Sequence, residues 1–267
     1  MIKNSFVVAV FLLNALIVSS VSADPLVRIS SEAKIFQFAT DPWPPYFLDT
    51  NSDVVEQGLG HQLVTELFHK IPEYAPSFPK TPWKRGLIEL ELGVKDAIAL
   101  LLNTEERTEY MVFTLPVIKS PSLIFYNKAN FVNGFEWNHV DDLSQFKIGV
   151  VRGYSYGEMF DRYIETKPDN IFEVTTSKQL FHMLQRKRLD LVPESAAVAY
   201  ALADEQGWSE NLGAAKNIVA MDVFHIGISK KSPHLSILPS LNKAITAMRN
   251  SGRIDEIMGN IGSSVAP

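Results

Sequence analysis

The chain has 267 residues, of which 46% are hydrophobic and 21% charged, and its formal net charge is −5 at pH 7. This length and apolar content suffice for one large domain or two lobes, and the mild acidity without a basic face argues against a nucleic-acid partner. The chain contains no cysteine, which excludes disulfides, a thiol-linked lipid anchor and cysteine-ligated metal sites.

Residues 1–23 have the features of a cleavable secretory signal peptide. Lys3 precedes an apolar stretch over residues 6–18, and Val21-Ser22-Ala23 provides a small-residue cleavage site. An uncleaved membrane anchor is the alternative, but the apolar stretch is short and Asn14 interrupts it. The sequence therefore predicts export to the periplasm.

A proline-rich segment, Asp41-Pro42-Trp43-Pro44-Pro45-Tyr46, follows a predicted strand over residues 35–40 and precedes a predicted helix over residues 58–70. Prolines fix φ and prevent helix or ladder formation, so we expect a stiff, extended turn. Such a turn holds its aromatic side chains at low entropic cost. Trp43 and Tyr46 are therefore candidates for one wall of a ligand cleft.

Residues 81–116 carry the most informative pattern of the chain. A largely apolar helix is predicted over residues 83–92 and ends at Gly93. The unbroken apolar run over residues 97–102 is typical of a strand covered on both faces. Trp83 is a candidate for the opposite wall of the cleft, and Arg85 is a weaker candidate beside it.

Thr104 is predicted to cap a further helix, with Arg107 in its first turn. Glu105 and Glu106 suit that turn because the helix dipole favours negative charge, whereas a cation there is disfavoured by roughly 0.3–1 kcal/mol. An anion docked against Arg107 and the free backbone N–H groups would remove that penalty. The alternative is a surface ion pair of Arg107 with Glu105, Glu106 or Glu109.

The rest of the chain alternates predicted strands and helices, which favours an α/β architecture with mostly parallel sheets. Ser177 is predicted to cap one of these helices. The strands are predicted at residues 123–126, 147–151, 189–192 and 223–229, and the helices at residues 158–165, 178–188 and 237–250.

Gly153-Tyr154-Ser155-Tyr156-Gly157 matches the G-x-S-x-G pattern of a hydrolase nucleophile elbow, and it lies between a predicted strand and a predicted helix. Asp190 or Glu194 and then His225 or His234 would complete the chain order of a triad. The pattern is short, and the acids and histidines lack a local signature of their own. Contact of Ser155 with a ligand, or plain helix capping, are the alternatives.

Several short motifs follow one another along nearly the whole predicted mature chain. They include an aromatic-proline segment, a helix leading into G-x-x-D-A, a T-x-x-R turn and an F-[ST]-x-P segment. The matching residues are Trp43-Pro44-Pro45-Tyr46, 58–66, Gly93 with Asp96-Ala97, 104–107, 113–116, 148–153, Leu189-Asp190 and 240–257. In these motifs the chain resembles the periplasmic solute-binding proteins of amino-acid-type ABC importers, the family 3 extracellular solute-binding proteins.

The resemblance implies an α/β, two-lobed periplasmic-binding-protein fold of type II, with the ligand cleft between the lobes. It implies a signal peptide at residues 1–23, a first lobe at 24–125, a second lobe at 126–224 and a return to the first lobe at 225–267. The chain would cross between the lobes twice, near Phe125 and Phe224, and these crossings would act as hinges.

The resemblance also implies roles for three polar side chains. Arg107 would bind the ligand's carboxylate through two hydrogen bonds, Ser155 would contact it from the second lobe, and Glu194 would bind an ammonium group. The chain departs from the family pattern at Leu100 and Leu102, where a hydroxyl residue usually precedes the Thr of the turn. The implied ligand is therefore a carboxylate-bearing solute that need not be an ordinary α-amino acid.

The implied function is the capture of a small carboxylate-bearing solute, an amino acid or a related compound, for the membrane permease of an ABC importer. The protein would be a monomer, would not be an enzyme and would need no metal or other cofactor. Two alternatives are a binding protein that feeds a sensor, and a dehydratase of the prephenate or arogenate type that uses Glu194 as a general acid.

Overall fold

The computed structural model describes residues 33–166 and 168–259. The predicted signal peptide, residues 1–23, lies outside these described residues. Within the described ranges, no helix is long and apolar enough to cross a membrane.

The chain alternates strands and helices over much of its described length, but three strands follow one another in its middle without an α-helix between them, and two helices end the described residues. The elements up to the first long strand are β1 Lys34–Gln37, α1 Leu59–Phe68, β2 Tyr74–Ser77, α2 Trp83–Leu92, β3 Ala97–Leu102, α3 Glu105–Thr108 and β4 Met111–Phe113. The remaining elements are β5 Ile118–Asn127, β6 Ile148–Val151, α4 Glu158–Thr166, β7 Ile171–Val174, α5 Ser177–Gln185, β8 Leu191–Ser195, α6 Ala196–Glu205, β9 Leu212–Ser229, α7 Leu238–Asn250 and α8 Arg253–Met258.

The described strands form a two-stranded sheet and a seven-stranded sheet. β1 pairs with β2 in parallel, and the larger sheet has the order β3-β9-β5-β8-β6-β7, with β4 also paired to β9. β6 is parallel to β7 and β8, but β9 is antiparallel to β3, β4 and β5, and β5 is antiparallel to β8. The prediction of mostly parallel sheets is therefore wrong, because two long antiparallel strands run through the middle of the sheet.

These two long strands, β5 and β9, join two groups of elements. We call β1–β4 with α1–α3, α7 and α8 the first lobe, and β6–β8 with α4–α6 the second lobe. β9 pairs with β3 near its C-terminal end, whereas β5 pairs with β8 near its own C-terminal end. The expected crossings near Phe125 and Phe224 fall on β5 and β9, and the residue bounds of the lobes remain predictions.

The C-terminal helices return to the first lobe. Both α7 and α8 pack against α1. Arg253 of α8 donates to both carboxylate oxygens of Glu66 on α1, at 2.8 Å from Nε and 2.7 Å from Nη2. A two-pronged pair of this kind fixes the relative position of the two helices.

Each lobe buries its own aromatic core. In the first lobe the rings of Phe36, Phe38 and Phe68 have centroids 5.3–5.8 Å apart. In the second lobe Phe160 lies 5.9 Å from both Tyr156 and Tyr163. These cores hold rigid the strand ends that face each other between the lobes.

The helix and strand that lead to Arg107 were predicted correctly. α2 ends at Gly93, which adopts φ of 79°, a left-handed conformation that glycine reaches without a Cβ clash. Asp96 then anchors the entry to β3, because its carboxylate accepts hydrogen bonds from Gln37 N at 2.8 Å and Ser232 Oγ at 2.6 Å.

Other predicted elements differ from the structure in extent. β5 and β9 are much longer than the predicted strands over residues 123–126 and 223–229. The cap of α5 is Thr176, whose side chain accepts from Gln179 N, and not Ser177. Ser177 instead donates its hydroxyl hydrogen to the carboxyl group of Glu194. A hydrogen bond to an ionised carboxylate is stronger than one to a neutral group.

Candidate functional site

Arg107 is buried between the lobes. Thr104 caps the short helix α3 by accepting from Arg107 N at 3.4 Å, so the Arg107 side chain starts at the end of the buried strand β3. Only 4% of Arg107 is exposed. Burial lowers the pKa of its guanidinium, while Tyr110, Glu106 and Asp161 act to raise it.

The guanidinium of Arg107 hydrogen-bonds to carbonyl oxygens and, among the described residues, to no carboxylate. Nη1 donates to Leu102 O at 2.7 Å, and Nη2 donates to Gly153 O at 3.1 Å. No ion pair of Arg107 occurs within 4.0 Å in the part of the chain that the structure describes. A guanidinium has five N–H donors, so Arg107 keeps donors for a further acceptor.

Gly153 joins the two lobes through its carbonyl group. It follows β6 of the second lobe, and its oxygen accepts from Trp83 Nε1 at 2.8 Å as well as from Arg107. The guanidinium carbon of Arg107 lies 5.6 Å from the centroid of the Trp83 ring. Gly153 therefore ties the second lobe to two side chains of the first, and we call this contact the Gly153 bridge.

A cavity lies beside this bridge, and we call it the inter-lobe cavity. The lining residues with a polar atom in their side chains are Thr40, Asp41, Trp43, Trp83, Arg107, Ser122, Tyr154, Ser155, Tyr156, Glu194, Ser195 and Asp222. Its apolar lining consists of Ala39, Phe47, Ile98, Ala99, Leu100, Leu101, Leu102 and Phe224. Both lobes and both crossing strands contribute to it.

The inter-lobe cavity is small in this conformation. The space open to the centre of a water-sized sphere is about 50 Å³, and one water needs about 10–15 Å³ on this measure. A groove of about 1000 Å³ lies next to it and shares Arg107, Tyr154, Ser155 and Asp222 with it. A solute larger than a few waters therefore needs the lobes to separate before it can enter.

Aromatic rings form the walls of the cavity, and those of Trp43 and Trp83 are among them. The ring centroid of Trp43 lies 5.4 Å from that of Phe224 and 6.5 Å from that of Tyr154. The ring centroids of Trp83 and Tyr154 are 5.0 Å apart. Tyr46 lies 5.0 Å from Trp43 but is itself buried and is not among the lining residues. Tyr46 therefore packs against the Trp43 ring without lining the cavity itself.

The proline-rich segment that carries Trp43 and Tyr46 forms a tight, hydrogen-bonded turn. Trp43 N donates to Phe47 O at 2.7 Å, and Tyr46 N and Phe47 N donate to Trp43 O at 2.9 and 3.0 Å. The prediction of an extended turn is therefore wrong, because these backbone bonds close the segment on itself.

Ser155 lines the cavity from the second lobe. Its hydroxyl donates to Asp161 Oδ2 at 2.6 Å, and its neighbour Tyr156 donates its backbone N–H to the other oxygen of Asp161 at 2.8 Å. His225, one candidate triad base, instead contacts Thr114 O at 2.8 Å through Nδ1. The described residues thus place Ser155 in a capping arrangement beside the cavity, without the serine–histidine contact that a nucleophile needs.

Glu194 is a fully buried carboxyl group at the end of β8. It accepts from Ser177 Oγ at 2.6 Å and from Ser195 N at 2.9 Å. Burial raises the pKa of Glu194 to about 7, and the two hydrogen bonds only partly oppose that rise.

Sequence reasoning missed two further carboxyl groups in the cavity. Burial raises the pKa of Asp41 to about 7, with Asp49 adding to the rise. Burial also raises the pKa of Asp222 to about 6, although Ser122 donates a hydrogen bond to it. Asp41 lies next to the predicted aromatic wall, so the sequence could have indicated it as a site residue. Asp222 lies in the middle of the long strand β9, where no sequence motif marks it.

Arg85 does not share this site. Its side chain is 73% exposed, pairs with Glu89 at 2.6 Å on the same helix, and is not among the lining residues. Arg85 and Trp83 are two positions apart, and residues with that spacing point to different faces of a helix.

Leu100 and Leu102 form an apolar wall where the resembled family usually has a hydroxyl residue. The register of β3 against β9 shifts between Ala99 and Leu101, and Leu100 adopts φ of 58° at this bulge. A left-handed non-glycine residue costs roughly 1–2 kcal/mol. The bulge therefore interrupts the regular register of β3 where this strand lines the cavity. Leu100 and Leu102 offer no side-chain hydroxyl there.

No group of three or more metal-ligating side chains lies together in residues 33–166 and 168–259.

The chain matches the model of the bacterial extracellular solute-binding proteins, family 3, over residues 36–261. Comparison with curated protein sequences gives no match. The family match covers most of the chain and includes every residue that lines the inter-lobe cavity.

Solved structures with low sequence identity share the fold. An amino acid ABC transporter substrate-binding protein of Streptococcus pneumoniae, bound to L-arginine, has a TM-score of 0.70 at 16% identity, over 88% of this chain and 96% of that one. A structure from a study of glutathione import through a cystine ABC importer of Streptococcus mutans has a TM-score of 0.72 at 15% identity, over 86% and 95%.

A histidine kinase sensor domain with similarity to periplasmic binding proteins also matches, with a TM-score of 0.68 at 15% identity, over 85% of this chain and 94% of that one. These likenesses confirm the predicted α/β, two-lobed fold of type II. At such identities they establish the fold alone.

Proposed function

We propose that this chain, which belongs to the bacterial extracellular solute-binding proteins of family 3, captures a small carboxylate-bearing solute between its two lobes. The solute is an amino acid or a related compound. Arg107 binds its carboxylate, Ser155 faces it from the second lobe, and Trp43 and Trp83 pack against its body, with Tyr46 supporting Trp43. Glu194 binds a cationic group of the solute.

The observation that carries this proposal is the state of Arg107. Arg107 is buried in the inter-lobe cavity without a carboxylate partner among the described residues. Two of its N–H groups donate hydrogen bonds to carbonyl oxygens. A buried charge is costly unless it is paired. A ligand carboxylate supplies the missing charge with the planar geometry that a guanidinium favours.

Closure of the lobes on the solute makes binding detectable to a partner protein. We propose that the protein, exported to the periplasm by the segment at residues 1–23, works there as a monomer and without catalysis. Its closed form presents both lobes to the permease of an ABC importer.

A sensor is the second candidate partner. It is favoured by the shared fold of the histidine kinase sensor domain, and the fold itself does not decide between the two outputs. The neighbouring genes distinguish them, because an importer requires permease and ATPase genes whereas a sensor requires a kinase gene.

A thermal-unfolding panel tests the proposal. Purified mature protein is heated with each of the common amino acids, with organic acids and with amines at millimolar concentration. We expect at least one carboxylate-bearing compound to raise the melting temperature, and the rise to grow with concentration because the ligand binds only the folded state. If no member of the panel raises it, the proposed function is wrong.

A further inference from the structure

The inter-lobe cavity contains more acidic than basic groups. Its lining includes the carboxyl groups of Asp41, Glu194 and Asp222, and the single guanidinium of Arg107. A solute with only a carboxylate would balance Arg107 and leave these three acids facing an added negative charge. The lining therefore suits a solute that also brings positive charge.

Two of the acids have oxygens without a hydrogen-bond partner among the residues that the structure describes. Asp222 is 7% exposed, and its Oδ1 is buried without a hydrogen bond from any described residue, while Ser122 donates to Oδ2. Oδ2 of Asp41 is likewise buried without a partner, and so is Oγ1 of Thr40, which is 4% exposed.

These unpaired atoms call for hydrogen-bond donors. A buried acceptor without a donor destabilises the protein, and it does so more strongly if it is charged. Carboxylate oxygens accept only, and Thr40 Oγ1 accepts equally well. A solute group that reaches these atoms satisfies them if it carries several N–H bonds, as an ammonium or guanidinium group does.

The aromatic walls agree with a cationic group. Trp43 and Phe224 lie 5.4 Å apart at an angle of 68°, and both line the cavity together with Asp41 and Asp222. The faces of aromatic rings attract cations and also pack against an alkyl stem.

We propose that the solute carries an N–H-bearing cation, an ammonium or guanidinium group, at the end opposite its carboxylate, and that Asp222 binds this cation together with Asp41. This inference rests on the proposed function and specifies the class of solute as cationic amino acids and compounds of that type. Glu194 remains the partner of the ammonium group nearer the carboxylate.

The place of Asp222 connects cation binding to the crossings between the lobes. Asp222 lies on β9 and pairs in register with Ser120 on β5, and Ser122 of β5 donates to its carboxylate. A cation on Oδ1 of Asp222 therefore binds at the two strands that both lobes share, where it can favour one hinge arrangement over another.

The experiment compares matched solutes by isothermal titration calorimetry at pH 7.5. The pairs are L-arginine with L-citrulline, L-lysine with L-norleucine, and L-ornithine with L-norvaline, in which the first member has a side-chain cation and the second does not. We expect the cationic member of at least one pair to bind at least tenfold more tightly. Equal or tighter binding of the neutral member in every pair overturns the inference.

Variants assign the effect to the residue. Asp222→Asn keeps the shape and removes the charge, so it should abolish the preference for the cationic member and weaken its binding at least tenfold. Asp255→Asn changes an exposed acid outside the cavity and should leave the preference unchanged. A preserved preference in Asp222→Asn, with an unchanged melting temperature showing that the variant folds, also overturns the inference.

The outcome separates this inference from the proposed function. If other carboxylates of the thermal panel bind while all six matched solutes do not, the cation site is wrong and the proposed function stands. If nothing in the panel binds, the proposed function itself fails and the inference falls with it.

Discussion

Three carboxyl groups of the inter-lobe cavity leave water when the chain folds, and burial raises the pKa of each. Asp41 and Glu194 move to about 7 and Asp222 to about 6, from ordinary values of 3.8 for Asp and 4.5 for Glu. Between the ordinary and the raised values, these groups hold protons in the folded protein and lose them in the unfolded chain. The ligand-free protein is thus destabilised as pH rises through this range.

We predict that the free energy of unfolding of the ligand-free protein falls from pH 5.5 to pH 8. Each carboxyl group contributes a slope of at most about 1.4 kcal/mol per pH unit, reached where it is protonated in the folded state and ionised in the unfolded state. Urea unfolding at half-unit intervals of pH measures the slope. His61 acts in the opposite direction, since burial lowers its pKa.

The variant Glu194→Gln isolates one carboxyl group from these other contributions. It keeps the buried shape and cannot ionise, so its stability should fall less steeply with pH than that of the wild type. Identical pH profiles of wild type and variant would show that Glu194 is ionised in the folded protein and would contradict the raised pKa.

How far the site could be predicted depended on local signals. Arg107 was found because a cation in the first turn of a helix violates a general preference, and Trp43 because prolines surround it. Asp222 has no such signal, since an acidic residue in a strand is ordinary until the partner strand and the cavity are known. Arg85 lies outside the cavity, because residues two positions apart on a helix point to different faces.

At the scale of elements, the helix-strand-helix unit from α2 to α3 followed directly from the sequence. Its caps and its continuous apolar strand are local features. β5 and β9 did not follow, because their length and antiparallel pairing arise from contacts between positions about a hundred residues apart, such as Ile118 with Phe224. The prediction of mostly parallel sheets failed for the same reason.

The Gly153 bridge links α2 and α3 of the first lobe to the end of β6 in the second. Trp83→Phe removes the indole N–H that donates to Gly153 O while keeping an aromatic ring. Loss of one such hydrogen bond costs about 1 kcal/mol, which changes the ratio of closed to open protein by about fivefold. We predict a larger radius of gyration for the ligand-free variant by small-angle X-ray scattering.

A matched control is Trp137→Phe. Trp137 is buried in the core of the second lobe, and its indole N–H has no partner among the described residues. This variant should keep the radius of gyration of the wild type. An unchanged radius in Trp83→Phe, with the fold intact, would contradict a role of the bridge in closure.

For the molecule as a whole, the proposed capture of a solute requires a cycle of opening and closing, because the cavity is small and the larger groove lies beside it. The lobes meet through the Gly153 bridge, and they remain joined through β5 and β9. A solute that supplies a carboxylate to Arg107 offers the guanidinium a stronger partner than a neutral carbonyl group. Closure around the solute is thus favoured by contacts that neither lobe makes alone.

The central claim is that Arg107 holds the carboxylate of the solute. The most direct test is calorimetric titration of the tightest carboxylate ligand from the thermal panel, compared with its carboxamide, which keeps the shape and lacks the charge. We predict that the carboxamide binds at least about tenfold more weakly, since hydrogen bonds to a charged group contribute about 1.5–3 kcal/mol, and that Arg107→Lys reduces this difference. Equal affinities of carboxylate and carboxamide for the wild-type protein would contradict the claim.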